Sequence, residues 1–322
     1  MTIKLKRLRG LRSAEYEHRF DRIALDNLEK IPLVSELTRK LFEISYEKAS
    51  RIQYSGSYLQ ANRENMPRLY GILAEACAIL DIERVPDIYV QWDYSINAMT
   101  TGVESPMIVI NSGCVDLLSD EELLFVIGHE LGHIKSGHVL YRTLASVFPA
   151  IVEQASQMTL GIGGLAGAGV QVALNNWYRM SEFSADRAGL LACQSPQASI
   201  RSLIRMAGLP NAYNPDDFQE SFLKQAREFE NLDLESASRA VKIFSTLTLT
   251  HPWTVLRASE FLKWTESGEY EKVLENDSRQ PEVPILVGHN YCGNCGFDLN
   301  PADNFCAGCG ISVTQRPASE PG

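Results

Sequence analysis

The sequence predicts a mainly α-helical fold of the α+β class, with one short antiparallel β-hairpin and a small cysteine-rich module after a linker. Three observations predict it. Long stretches such as "LVSELTRKLFEISYEKAS" and "LYGILAEACAIL" repeat charged and apolar positions at helical spacing. Two short runs rich in β-branched and aromatic residues, "PDIYVQW" and "MIVIN", break that pattern. Four of the seven cysteines fall close together near the C-terminus. The chain has 322 residues, 45% of them hydrophobic and 22% charged, so it can bury a core without disulfides. Its net charge of −10 argues against general nucleic-acid affinity.

The opening "MTIKLKRLRGLR" places Lys4, Lys6, Arg7, Arg9 and Arg12 together but lacks the apolar core of a secretory signal. It reads as a solvated end. Residues 13–85 read as helical. Pro86 then opens the first strand, and a polar loop with Asn97 and Gly102 leads to the second, Met107–Asn111, which is expected to pair antiparallel with it. Ser119 and Glu122 form a capping box that starts one helix over "DEELLFVIGHELGHIKSGHVLYRTLA", apolar around most of its circumference and therefore a core helix.

No charge occurs from Gln154 to Tyr178, and "LGIGGLAGAGV" is rich in glycine. Gln154, Gln157, Gln171, Asn175 and Asn176 interrupt this stretch, and its apolar part falls short of the ~20 residues a spanning helix needs. It reads as a connection between two amphipathic helices. A cytoplasmic location is expected, with a peripheral or hairpin-inserted membrane position as the alternative. Residues 197–275 return to helix. The chain thus divides into an N-terminal helical region (1–64), a central domain (65–275), a linker (276–288), a cysteine module (289–313) and a disordered tail (314–322).

The chemistry concentrates in "VIGHELGHIKSGH". His129 and His133 stand one helical turn apart on one face, the arrangement two imidazoles need to share a zinc ion. Glu130 turns toward the same cavity, where it can take a proton from a water on the metal. A catalytic zinc needs a third protein ligand. His138 misses the metzincin spacing, which would put a glycine at Ser136 and a histidine at Val139. It is assigned to a supporting or surface place. Glu182 and Asp186 in "RMSEFSADRAGL" are again one turn apart. Glu182 can supply the carboxylate ligand, and Asp186 can accept a hydrogen bond from the far nitrogen of a liganding histidine.

Asn97-Ala98, "SDEELLFVIGHELGHI", "SEFSADRAGL" and "THPWTVLR" occur in this order between about Leu69 and Trp264. In them the chain resembles the HtpX heat-shock protease and CAAX prenyl-protease group, zinc metallopeptidases of the gluzincin type. The resemblance implies a helical gluzincin domain acting on protein or peptide substrates. It implies that His129, His133 and Glu182 bind zinc, with Glu130 as general base and Asp186 supporting a ligand. Asn97 would hold substrate backbone along an edge strand, His251 would stabilise the oxyanion, and Arg257 would balance the site's charges. Many members of the group are embedded in membranes, whereas this sequence offers no convincing spanning helix.

In "YCGNCGFDLNPADNFCAGCG", Cys292, Cys295, Cys306 and Cys309 form two C-x-x-C pairs, each followed by glycine. Two such turns close a tetrahedral shell with no open position, so a second, structural zinc is expected in a module that resembles a zinc ribbon. Few basic residues accompany it, and a protein partner is expected there rather than nucleic acid. The expected function is a zinc-dependent endopeptidase. The alternative is a non-catalytic, zinc-stabilised interaction protein acting through the ribbon, and the intact Glu130 argues against it.

Overall fold

A computed structural model of the chain describes residues 5–31, 33–34, 37–38, 46–158, 162–231 and 253–276. His251, most of the linker, the four clustered cysteines and the tail lie outside these residues. The described elements run α1 (Arg19–Glu29), α2 (Tyr46–Ser57), β1 (Leu59–Ala61), α3 (Pro67–Leu80), β2 (Asp87–Gln91), β3 (Ala98–Thr101) and β4 (Met107–Asn111). Then come α4 (Ser112–Leu117), α5 (Asp120–Lys135), α6 (Val139–Met158), α7 (Ile162–Cys193), α8 (Pro196–Met206), α9 (Gln219–Asn231), α10 (Thr254–Glu266) and α11 (Glu269–Glu275). The α+β expectation holds: helices dominate, and a small mixed sheet lies to one side.

The sheet has the order β1-β2-β4-β3. Both anticipated strands form, but they pair parallel, Ile88 against Ile108 and Val90 against Ile110. The antiparallel hairpin joins β3 to β4, with Ala98 opposite Ile110 and Thr100 opposite Ile108. The reading as a polar loop missed β3 because it is four residues long, and missing it removed the strand that reverses the chain before β4. A second short strand, β1, runs antiparallel to β2 inside the stretch read as wholly helical.

α5 begins at the expected capping box: Ser119 Oγ accepts from Glu122 N, and Glu122 Oε2 accepts from Ser119 N. The expected single helix is two. α5 stops at Lys135, Gly137 takes a left-handed φ of 69°, and α6 starts at Val139. Gly137 N and His138 N close the end of α5 on Ile134 O and His133 O. Only glycine takes that backbone cheaply, so the turn the sequence allows at Gly137 carries His138 back toward the helix it has just left.

From Glu122 to His133 every residue of α5 is buried. It packs on α3, α8, β3 and, above all, α7. The α5–α7 seam is made of small residues. A methyl added at Gly132 would lie 2.5 Å from Ala188 Cβ, and one added at Gly128 would overlap Ala192. Gly189 in turn faces the ring and carbonyl of Phe125. Here the glycines allow two backbones to approach, and that approach brings the acidic face of α7 over the histidines. The glycine-rich stretch is not simply a connection: from Ile162 onward it is the first part of the 32-residue α7. No helix among the described residues is long and apolar enough to cross a membrane.

The N-terminus is not a solvated end from Leu5 on. Leu8 and Leu11 are buried in the main core, Leu8 N bonds Ile79 O, and Gly10 N bonds Asp81 Oδ2 at 2.7 Å. The leucines alternate with the cations at spacings that composition hides. A second cluster of Leu28, Leu144, Phe148, Leu174 and Trp177 ties α1 to α6 and α7.

Candidate metal centre

His129 and His133 project from one face of α5, and the close seam sets Glu182 of α7 opposite them. The nearest ligand atoms of the three all lie within 4.8 Å of one another, and among the described residues no other such cluster occurs. His129 Nε2 is 3.2 Å from His133 Nε2 and 3.4 Å from Glu182 Oε2; His133 Nε2 is 3.4 Å from Glu182 Oε1. All three side chains are buried. Two imidazole nitrogens and a carboxylate oxygen converging at this range can hold a metal ion between them. Two nitrogens and one oxygen are the donor set of a catalytic zinc site. The cluster therefore fits zinc.

The two histidines are held in opposite ways. His129 Nδ1 meets Asp186 Oδ1 at 2.9 Å, and Arg257 clamps that carboxylate with Nε at 2.8 Å and Nη2 at 2.5 Å. Burial opposes charge on His129, but hydrogen bonds and charges from Asp186 and Glu182 outweigh it and raise its pKa to about 9. Burial likewise opposes charge on Asp186, and the Arg257 guanidinium outweighs it, holding that carboxyl below its ordinary value. His133 Nδ1 instead meets another imidazole, His138 Nδ1, at 3.0 Å. Burial, together with the charge of Arg142, pushes the His133 pKa well down.

Arg142 was not anticipated. It is buried on α6, stacks 4.1 Å over the Tyr178 ring, donates to Glu182 Oε1 and lies 3.0 Å from His133 Nε2. Its sequence signal was an arginine inside the apolar run "HVLYRTLASVF". Thr100 was missed as well, and nothing in its spacing pointed to it. Its hydroxyl donates to Glu130 Oε2 at 2.7 Å, tying the acid of α5 to strand β3.

A cleft of about 300 Å³ opens over this face, lined by Ser95, Asn97, Ala98, Glu130, Met206 and Arg257 among others. Asn97 thus stands at the cleft wall where β3 begins, and its carbonyl accepts from Asn111 N at 3.0 Å. His138 is buried behind His133, not at the surface, which leaves only the supporting half of its assignment. Of the anticipated residues, His129, Glu130, His133, Glu182, Asp186, Arg257 and Asn97 come together, whereas His251 and the four clustered cysteines lie outside the described residues.

Residues 65–265 match the model of peptidase family M48. The chain is 30% identical over 283 residues to the plastoglobule-localized metallopeptidase 48 of Arabidopsis thaliana, covering 85% of this chain and 79% of the relative. It is 26% identical to the protease HtpX homolog 2 of Methanosarcina mazei over 61% of this chain and 72% of that protein. With the HtpX homolog of Ralstonia pickettii it shares 24% identity over 66% of this chain and 78% of the relative. No solved structure matches the chain. A buried His–His–Glu cluster that fits zinc and a family match over most of the chain lead to one conclusion: the chain belongs to peptidase family M48 and is a zinc metalloprotease of the HtpX type.

Proposed function

We propose that the chain is an endopeptidase that cleaves extended segments of protein substrates, with His129, His133 and Glu182 holding the catalytic zinc and Glu130 acting as general base. The observation that carries this reading is the placement of Glu130: it lines the same cleft as His129 and Glu182 and is oriented by Thr100 from the strand at the cleft wall. Zinc held there supplies Lewis acidity and lowers the pKa of water towards ~7. Glu130 takes the proton of the attacking water and returns it to the leaving amine. Arg257 and Asp186 keep His129 Nδ1 engaged, so that Nε2 is the free ligand atom.

β3 is one of the sheet's two edge strands, and Asn97 bonds β4 through its carbonyl. Alternation along an antiparallel pair then turns the N–H and C=O of Ala98 away from β4, where a substrate strand can add to the sheet. Asn97 is assigned to hold that strand, and His251 to stabilise the oxyanion. The central domain is bounded at 65–275, with the N-terminal region 1–64 before it. Cys292, Cys295, Cys306 and Cys309 are assigned a structural zinc in a ribbon at 289–313, which docks a protein partner or recruits substrate.

The Arabidopsis relative is named for plastoglobules. For this chain a cytoplasmic site of action is proposed, because glutamines and asparagines interrupt the uncharged stretch 154–178. Recovery in the membrane fraction after an alkaline carbonate wash would overturn that. The function is tested with casein as an unfolded substrate. Glu130→Gln should retain its zinc and lose cleavage, and product mapping should find internal cuts. Wild-type release of terminal residues alone would exclude an endopeptidase, and an active Glu130→Gln variant would exclude Glu130 as base.

A further inference from the structure

His133 is backed by a buried chain of polar groups that leads out of the residues matched by the family model. Its Nδ1 meets His138 Nδ1 at 3.0 Å, and His138 Nε2 meets Asp21 Oδ2 of α1 at 3.0 Å. The same carboxylate oxygen accepts from Ser184 Oγ at 2.6 Å, and Ser184 Oγ accepts from the backbone N of His18 at 2.9 Å. His133, His138, Asp21 and Ser184 are each 2% exposed or less. Asp21 and His18 precede the residues matched by the family model, which begins at residue 65.

The direction of the chain follows from donor chemistry. Arginine has no acceptor, so Arg142 Nη1, 3.0 Å from His133 Nε2, donates to it. His133 Nε2 therefore carries a lone pair, and the proton sits on Nδ1. That proton is donated to His138 Nδ1, which leaves His138 protonated on Nε2, facing the acceptor Asp21 Oδ2. Both ends agree: a donor-only group at one and a carboxylate at the other allow one set of tautomers. With Asp21 absent, only the contact with His133 selects the Nε2–H form of His138, and no acceptor meets its Nε2. Its other tautomer would set two N–H groups against each other or turn the lone pair of His133 away from the cluster.

We propose that Asp21 is a positioning residue of the metal centre: acting through His138, it fixes the tautomer and orientation of His133 so that Nε2 faces Glu182 and His129. The inference rests on the assignment of His133 as a zinc ligand. Three features favour this role over simple packing. Asp21 Oδ1 is buried with no hydrogen-bond partner, a cost an apolar side chain would avoid. The glycine turn at Gly137 exists where it delivers His138 to His133. Ser184 lies two residues after Glu182, so the α1 contact is anchored on the helix that bears the third ligand. The Trp177 ring packs edge-on against His138, with centroids 5.7 Å apart, and limits its rotation.

The test uses full-length protein and Zn²⁺. Nitrogen-15 NMR of the imidazoles in the zinc-loaded wild type reads the tautomers with no substitution: His133 and His138 should be protonated on Nδ1 and Nε2, respectively. Chelator competition then measures the zinc that His133→Ala removes. Asp21→Leu and His138→Leu should weaken that zinc about 10–100-fold. Asp21→Asn keeps the acceptor, and His138→Gln keeps one acceptor and one donor, so both should stay within about threefold of wild type, on the same reasoning. A His138 protonated on Nδ1, leucine variants that hold zinc as tightly as wild type, or equal losses in leucine and amide variants would each overturn the proposal. Full zinc content in His133→Ala would instead overturn the ligand assignment beneath it.

Discussion

The two histidines of α5 are chemically identical, and the protein treats them differently. Behind His129 stands a carboxylate locked by Arg257, an ionic support that together with Glu182 outweighs burial and raises the imidazole pKa to about 9. Behind His133 stands a second imidazole, with the carboxylate of Asp21 one step further away and the Arg142 cation on the ligand side. One ligand is made strongly basic and the other is held neutral and aimed. The first support lies wholly within the residues matched by the family model, whereas the second ends on Asp21, which precedes them. A metal centre read only from its H-E-x-x-H motif therefore describes half of what holds it.

The largest effect should come from breaking the frame that both histidines share. Gly132→Val forces a side chain into Ala188, at a cost of about 1–3 kcal/mol from overpacking. The shift of α7 that relieves it takes Glu182 off the cluster. Metal analysis should show the loss of one zinc, casein cleavage should vanish, and the thermal midpoint should fall. Retained zinc with full activity would mean that the seam does not set the site.

Next comes the His129 side alone. Asp186→Asn keeps the shape and removes the charge that Arg257 clamps, so zinc affinity should fall about 10–100-fold. Zinc held as tightly by Asp186→Asn as by wild type would show that the charge behind His129 does not support the ligand. Thr100→Val spares both supports and frees Glu130. One hydrogen bond to a charged group is worth about 1.5–3 kcal/mol, so kcat should drop roughly 10–100-fold with zinc content unchanged.

The smallest effect lies at the outer end of the N-terminal support. Burial opposes the charge of Glu260, but hydrogen bonds from His18 and Lys263 outweigh it and hold its pKa near 2, below the ordinary 4.5. A depressed carboxyl contributes stability that is fully present above pH 4.5 and is lost as pH falls toward 2. Glu260→Gln should lower the thermal midpoint at neutral pH by a few degrees and make its acid decline shallower, since the glutamine takes up no proton there. A decline as steep as in wild type would show that Glu260 with its two partners, His18 and Lys263, does not contribute to stability in acid.

The parts legible in the sequence share one property: their signal is local. His129, Glu130 and His133 announce themselves by helical spacing, Ser119 and Glu122 by the capping box, and Met107–Asn111 by its β-branched run. Glu182 and Asp186 were found because their spacing repeats that of the histidines. What stayed hidden depends on distant partners. β3 is too short to read alone and exists because β4 pairs with it. Thr100 and Asp21 meet partners 30 and 117 positions away, Glu130 and His138. The break at Gly137 was legible in principle, since Ser136-Gly137 is a turn signal, but the apolar residues on both sides carried the helical pattern across it.

The central proposal is one zinc shared by two helices, with Glu182 as the ligand from α7. Zinc content per chain, measured together with casein cleavage in full-length wild type and Glu182→Ala, tests this most directly. The variant should lose one equivalent of zinc and all metal-dependent cleavage while retaining the helical circular dichroism of the wild type. A Glu182→Ala protein that holds as much zinc as wild type and still cleaves casein would contradict the account, and the third ligand would have to be sought elsewhere.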